Sequence, residues 1–361
     1  MERHKIIRYV GYAVLSVLIF FVLLYLAGKI FTPKYETGVR EGGMTQDYYL
    51  EELPHDLIFL GDCEVYENFS PVILWQEAGI TSYIRGNSQQ LIWQSYYLLK
   101  ETLEYETPRV VILNVHSMRF NAPQNEAYNR MMLDTMKWSS YKAAAVKTSM
   151  TEGESFLSYV FPLLRYHDRW NELTFSDVRY MFDHEPSTVA GYLVHMDVSP
   201  MTRLPKAPIL TDPDFGATAW QYLDLIRETC EEEGVQLILI KSSSIWPTWY
   251  EEWDQQITDY AAEYGLTYIN FIDHEEELGI DWTTDTYDGG LHLNLYGAEK
   301  ASAWLAAYLS EECDLPDHRG EAAFEADWNA KIRKQESIKA LQLEELETYG
   351  YLKSWMPEED E

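Results

Sequence analysis

The sequence predicts a three-layer α/β/α protein on a parallel sheet, carrying a helical insertion and preceded by one N-terminal transmembrane helix. Three observations lead there. Residues 54–115 read strand, helix, strand, helix, strand, and the alternation resumes at Ala217, the pattern of parallel strands joined by helical crossovers. The strands are unbroken apolar runs such as Leu57-Ile58-Phe59-Leu60 and Val110-Val111-Ile112-Leu113, as expected of strands covered on both faces. Tyr9 to Gly28 carries no formal charge, and about 20 such residues suffice for a bilayer core.

At the N-terminus, Arg3, His4, Lys5 and Arg8 precede the apolar run. Basic residues before a span favour a cytoplasmic N-terminus, with Lys29 and Lys34 as a weaker counterweight. The bulk of the chain is then extracytoplasmic. A cleaved signal peptide would have a shorter apolar core and a small-residue cleavage site. Gly28-Lys29-Ile30-Phe31 is not such a site, and no Cys follows for lipidation. Residues 1–28 therefore read as cytoplasmic tail and uncleaved anchor. Residues 29–53, with Pro33, Gly38, Gly42, Gly43 and mixed charges, read as a stalk.

The α/β domain is expected over 54–312. Strands are predicted at 56–60, 81–85, 109–115, 235–240 and 267–271. The first helix runs from Pro71 to Glu77, with Ser70 as candidate N-cap and Pro71 at the first helical position. Further helices are predicted at 88–105, 220–233, 249–264 and 296–309. Residues 116–215 are too long for a loop and should carry helices at 127–146, 154–164 and 175–182. Residues 185–215 are Pro-rich, without period, and read as a surface segment. The tail, 313–361, is acidic and helical in composition from Glu321 to Trp355. It would dock on the domain by one apolar stripe or pair with a partner.

Of 361 residues, 46% are hydrophobic and 14% aromatic, enough for a substantial core. The net charge is −31. Such a surface repels phosphate backbones, and no basic patch with interleaved aromatics is present, which excludes nucleic acid as a partner. There are three cysteines, Cys63, Cys230 and Cys313. An odd count in an exported chain points to a free thiol, and spacing alone does not decide whether Cys230 and Cys313 pair. No Cys/His metal spacing, P-loop or dinucleotide glycine fingerprint occurs, so neither metal nor cofactor is expected.

Chemistry concentrates at two places. Gly61-Asp62-Cys63 ends the first strand, and ligands in open α/β sheets sit beyond the carboxyl ends of strands. Near the other end, Asp288 precedes His292 in a Gly-containing loop that opens into a long amphipathic helix. A strand-end nucleophile with a later Asp…His pair supplies nucleophile, base and orienting carboxylate. Asp288 is the nearer carboxylate to His292; Asp285 reads as a loop cap. Lys241-Ser242-Ser243-Ser244, at another strand end, reads as a strand-to-helix turn or a pocket edge. Arg165-Tyr166-His167-Asp168-Arg169-Trp170 reads as a helix junction, or as a pocket roof in which Arg165 or Arg169 meets an anionic group.

These blocks resemble those of the SGNH (GDSL-type) hydrolases over roughly residues 54–312. Gly61-Asp62-Cys63 resembles the Gly-Asp-Ser block. Ile84-Arg85-Gly86-Asn87-Ser88 resembles the middle block, whose Gly donates a backbone N–H to the oxyanion hole. Asp288 and His292, followed by Asn294 and Gly297, resemble the closing block. The resemblance implies a flavodoxin-like sheet, Cys63 as nucleophile, His292 as base, Asp288 as orienter, and Gly86 and Asn87 near the oxyanion. It is closest to the membrane-anchored, envelope-acting branch that includes D-alanyl-transfer and polysaccharide O-acetylation proteins. That branch implies an acyl ester on an envelope polymer as substrate and a membrane acyltransferase as a partner. Three features depart from the pattern. Cys replaces Ser, three residues rather than two separate Asp288 from His292, and the Gly-x-Asn-Asp block is replaced by Asn114-Val115-His116-Ser117. His116 or Asn114 would have to supply the missing donor, or nothing does. Two functions therefore stand open: an esterase or acyltransferase, and a catalytically inactive protein of the same fold that binds an envelope glycan or an acyltransferase.

Overall fold

The computed structural model describes residues 2–34 and 40–356. Its centre is one parallel sheet of β1 (Leu57–Gly61), β2 (Ser82–Gly86), β3 (Val110–Asn114), β4 (Gln236–Lys241) and β5 (Thr267–Asn270). The spatial order is β2-β1-β3-β4-β5, the flavodoxin-like order. Leu57 pairs with Ser82 on one side and Val110 on the other. The chain thus reverses direction of travel across the sheet between β1 and β3, at the switch point where such sheets bind ligands.

Because side chains alternate across a strand, each apolar run feeds two cores. Ile58, Leu60, Val111 and Leu113 enter one core; Leu57, Phe59, Val110 and Ile112 enter the other. After β1 come a single turn, α3 (Cys63–Tyr66), and α4 (Pro71–Ala78); they are preceded by α1 (Glu2–Phe31) and a short α2 (Met44–Asp47). Next come α5 (Ile92–Thr102) and, in the insertion, α6 (Glu126–Leu133), α7 (Ser140–Ser149), α8 (Phe156–Val160), α9 (Leu163–Tyr166) and α10 (Phe175–Arg179). The chain then follows α11 (Ala217–Glu233), α12 (Glu251–Tyr264), α13 (Glu275–Leu278), α14 (Leu295–Glu312) and α15 (Ala322–Tyr349). Helices α5, α11 and α12 cover the first core, and α4 and α14 cover the second. Helix α1 is long and apolar enough to cross a membrane.

Several elements differ from expectation. Ser70 takes the N-cap position of α4 and Pro71 the first helical one, as expected, but the Ser70 side chain makes no capping bond; its Oγ donates to Gln335 of α15 at 3.0 Å. The helix expected at 88–105 begins only at Ile92. The one expected at 127–146 is two, because Ser139 caps a new start by accepting from the Lys142 N–H. Pro162 separates α8 from α9, where one helix was expected, since proline cannot donate to the helix ladder. Residues 40–53 do not stand off as a stalk: Met44, Thr45, Asp47 and Tyr48 are buried. Gly38 lies outside the described residues.

The largest revision concerns residues 185–215. Residues 187–196 are buried. Ile84 N–H donates to Ala190 O, so this segment covers the free edge of β2. Leu193 N–H donates to Tyr66 O, and Leu295 N–H to His195 O. The segment therefore joins the Cys63 turn to the start of α14. Helix α15 lies over it, with Gln342 bonded to both Val194 O and Met196 N. Trp328 of α15 stacks on Trp75 of α4 at 5.4 Å.

Candidate functional site

Gly61, the last residue of β1, has φ +156°, and a Cβ there would fall 2.9 Å from the Asn114 side chain. Glycine lets the strand turn sharply there into α3. Asp62 caps that turn by accepting the Glu64 N–H, which puts Cys63 at the first helical position. An N–H at that position has no intrahelical partner. Beside it, Gly86 ends β2, and a Cβ on it would meet Val65 at 3.0 Å and Tyr66 at 3.2 Å. A larger residue would push the α3 turn off the sheet.

His292 is delivered from the loop before α14. Asp288 organises that loop: Oδ1 accepts the N–H groups of Leu291 (3.1 Å) and His292 (3.0 Å). Its Oδ2 lies 2.6 Å from His292 Nδ1. Asp285 instead pairs with Lys300 at 2.6 Å. The turn that carries Cys63 meets this loop: Glu67 lies 3.1 Å from His292 Nδ1 and Asn68 accepts the Leu293 N–H at 2.8 Å, and Cys63 and His292 act on each other's charge. With Nδ1 taken by carboxylate, Nε2 is the ring nitrogen left for proton exchange with a reacting group. Cys63, His292 and Asp288 thus come together, from the two ends of the domain.

Four further residues complete the site. Glu67 Oε2 lies 3.1 Å from His292 Nδ1, and Tyr287 Oη donates to that carboxylate. His195 stacks on Tyr287, ring centres 3.6 Å apart. Asn68 accepts the Leu293 N–H and donates to Ser242 Oγ and Ser243 O, tying the loop to β4. Glu67 was within reach of sequence reasoning, because Cys63 and Glu67 are four apart on one helical turn. His195 sits in a segment with no period and was not.

The electrostatics follow from burial. Desolvation pushes the Cys63 thiol up to about 11 against the pull of His292, with Asp62 and Glu67 adding to the rise. Burial works against the imidazolium of His292, but Glu67, Cys63 and Asp288 outweigh it and raise its pKa well above the usual histidine value. Burial also raises Glu67. At neutral pH the cluster therefore holds a proton on both the thiol and the imidazole, and Cys63 must lose one to become nucleophilic.

Below lies a second, fully buried charged cluster bridging β1, β3 and β4 at the switch point. Asp62 Oδ2 is 2.7 Å from His116 Nδ1. Lys241 Nζ donates to both oxygens of Glu64 at 2.9 Å. Asn114 donates to Asp62 at 3.2 Å and Glu64 at 3.0 Å. Burial would raise both carboxyls; His116 and Lys241 overcome it, and both stay below the usual range.

Other sequence candidates are engaged differently. Asn114 is turned to these carboxylates. His116 Nε2 is buried without a hydrogen-bond partner. Asn87 Nδ2 donates to Thr45 Oγ1 at 3.0 Å, toward α2. Arg165 pairs with Glu126 at 2.8 Å, and Arg169 donates to Phe31 O at the end of α1 at 2.6 Å. Neither arginine is brought to Cys63 by these contacts. Lys241 and Ser244 bind Glu64 and so belong to the buried cluster. Cys230 and Cys313 are unpaired thiols.

Among the described residues, two groups have the donors a cation needs: Asp62, Glu64 and His116, and Glu67, Asp288 and His292, each with ligand atoms within 4.8 Å of one another. In the first, the Lys241 ammonium already supplies a positive charge on Glu64. In the second, Nδ1 of His292 already meets both carboxylates.

Fold and site define a parallel α/β protein in which a thiol, an imidazole and two carboxylates converge at strand ends. No family model matches the chain, and no curated protein matches it. Among solved structures it is similar to a Bacteroides fragilis protein assigned as an acylhydrolase, at 11% identity and a TM-score of 0.34, over 74% of this chain and 94% of that one.

Proposed function

We propose that the protein is a membrane-anchored SGNH-type acyl-ester hydrolase or acyltransferase acting outside the cytoplasm on an envelope polysaccharide or similar polymer. The observation that carries this reading is the convergence of Cys63, His292 and Asp288 at the carboxyl end of β1, with His292 Nδ1 held 2.6 Å from Asp288. Once the site has given up one of its two protons and His292 is neutral, the Cys63 thiol proton passes to His292 as the sulfur attacks the acyl carbonyl. The backbone N–H groups of Cys63 and Gly86 stabilise the oxyanion, with His116 Nε2 as a further donor. Collapse expels the polymer hydroxyl, which takes the proton from His292, and leaves a thioester on Cys63. Water or a second hydroxyl, deprotonated by His292, then takes the acyl group. Asp288 holds the imidazole in the required tautomer. Helix α1 anchors the chain with its N-terminus cytoplasmic, which keeps the site close to an envelope polymer.

Two observations favour the second reading, a non-catalytic protein that binds an envelope glycan or a membrane acyltransferase. Burial holds Cys63 as a thiol, up at about 11, and Asn114 is spent on structural carboxylates. The test is ester hydrolysis by the full chain in lipid nanodiscs, on a panel of acetyl and aminoacyl esters, with and without thiol alkylation. Turnover abolished by alkylation and by His292→Ala supports the enzyme. An identical background rate in wild type and variants supports the binding protein.

A further inference from the structure

We propose that the part of the insertion from Phe156 to Phe182 is seated in the membrane interface beside α1, with Leu157, Leu164, Trp170, Phe175 and Phe182 among lipid headgroups and upper acyl chains. The inference rests on the reading of α1 as a membrane span.

Trp170, Phe175 and Phe182 are 74%, 80% and 82% exposed, and Leu157 and Leu164 are more than half exposed. Single exposed apolar residues are ordinary on protein surfaces. Here five large ones fall within one short stretch of a chain whose net charge is −31. Their placement gives them meaning. The elements that carry them are packed on the last turns of α1. The Phe161 ring is 6.4 Å from Phe21. Pro162 sits against Gly28, where a Cβ would fall 3.2 Å from its ring. Arg169 donates to Phe31 O, and Asp177 pairs with Lys34 at 3.1 Å.

These contacts fix the depth. Phe21 precedes Gly28, the end of the uncharged run, by about two helical turns, roughly 10 Å of axis. With the run Tyr9–Gly28 filling the hydrocarbon core, Phe161 is held about that far inside its outer edge. Interfacial elements bury their apolar faces by about 5–10 Å. The α8–α10 segment is thus carried to the level of the headgroups by the helix it packs against. A bilayer accounts for its composition, because tryptophan favours this zone and phenylalanine and leucine the acyl chains just below it. Lys29, on the same stretch of α1, is exposed and can reach the headgroups. The consequence for the site is orientation: the α/β domain would be held against the membrane through two attachments.

The test uses the full chain reconstituted in phosphatidylcholine vesicles, wild type against Trp170→Phe, with tryptophan emission as readout. The emission difference between the two reports Trp170 above the background of the other tryptophans. It should be blue-shifted, lost in vesicles brominated at shallow acyl positions, and resistant to acrylamide. A difference emission quenched by acrylamide and untouched by brominated lipid overturns the inference and leaves the face to a protein partner. Extraction with alkaline carbonate separates the two readings. Chain retained in the vesicles with a water-exposed Trp170 overturns only the interface. Chain released from them overturns the anchor, and the interface with it.

Discussion

Glu67 Oε2 lies 3.1 Å from Nδ1 of His292, the same nitrogen that Asp288 holds at 2.6 Å. Two carboxylates on one nitrogen make the imidazolium hard to deprotonate, and the Glu67 charge, with that of Asp62, also opposes ionisation of Cys63. Glu67→Gln removes that charge. Both effects then act in one direction: His292 gives up its proton at lower pH, and so does the Cys63 thiol. The pH profile of Cys63 alkylation by iodoacetamide should move toward acid. A displacement of about one pKa unit would speed alkylation about tenfold at neutral pH. An unmoved profile would leave Glu67 as packing around Tyr287.

Asp288 and Asp285 stand on the same loop with different work. Asp288→Asn should leave the loop folded, since an amide oxygen can still accept the Leu291 and His292 N–H groups, but place the wrong partner on Nδ1. Ester turnover should fall by about 10²–10⁴. Asp285→Asn breaks the pair with Lys300 and should cost stability while leaving turnover per folded molecule unchanged. Steady-state kinetics beside a thermal melt of each variant separates the two.

The sheet was legible because β1, β3 and β4 are short apolar runs set among helical crossovers, and its order followed from the flavodoxin-like sheet that the resemblance implies. The Cys63, Asp288 and His292 positions were legible for a similar reason: each sits at a break between elements. The segment 187–196 was not. Its burial comes from covering the edge of β2 and lying beneath α15, and neither relation leaves a period in the sequence. Glu67 was not singled out because a charged residue in a turn usually faces water, and Lys241, read as a turn or a pocket edge, is instead buried; each is held by a partner far away in the chain, Glu67 by Tyr287 and Lys241 by Glu64. Of the two readings of 165–170, the contacts of Arg165 with Glu126 and of Arg169 with the end of α1 fit the helix junction; the sequence left both open because a polar and aromatic cluster looks the same whether it roofs a pocket or braces a helix.

The cluster of Asp62, Glu64, His116 and Lys241 should dominate stability at the switch point. Lys241 is wholly buried and binds both oxygens of Glu64. Lys241→Met leaves the two carboxylates short of a cation, and breaking a buried pair from one side costs about 3–5 kcal/mol. Adding Glu64→Gln should restore a good part of that loss, because the uncompensated charge goes with it. Denaturant titration of the single and double variants measures the recovery.

The same cluster sets an acid limit. The folded-state pKa of Asp62 is lowered, to about 2, so its contribution is present above its unfolded value and lost as pH falls through the folded one. That places the loss between about pH 4 and pH 2. Glu64, also lowered, acts with the same sign. Wild type should lose stability across this window, and Asp62→Asn should show a flatter dependence there. A wild-type curve flat below pH 4 would mean that these carboxylates are not held ionised by His116 and Lys241.

Cys63 itself decides between the two functional readings. A serine hydroxyl in its place would need a strong base to attack, yet His292 is surrounded by carboxylates that keep it protonated. A thiol is easier to ionise than an alcohol and is intrinsically more nucleophilic. Burial makes even the thiol reluctant, so ester turnover should climb steadily with pH on the alkaline side rather than level off near neutrality. Cys63→Ser should lose most activity, and Cys63→Ala should abolish the acyl-enzyme. The opposite outcome, Cys63→Ser equal to or faster than wild type, would mean that the oxyanion site between Cys63 and Gly86 is shaped for oxygen. Mass spectrometry of the chain quenched during turnover adds an independent measure: a thioester adduct on Cys63 in wild type, absent in Cys63→Ala and retained longer in His292→Ala. If wild type carries no adduct and all three variants share its background rate, the triad is a relic and the glycan-binding reading stands.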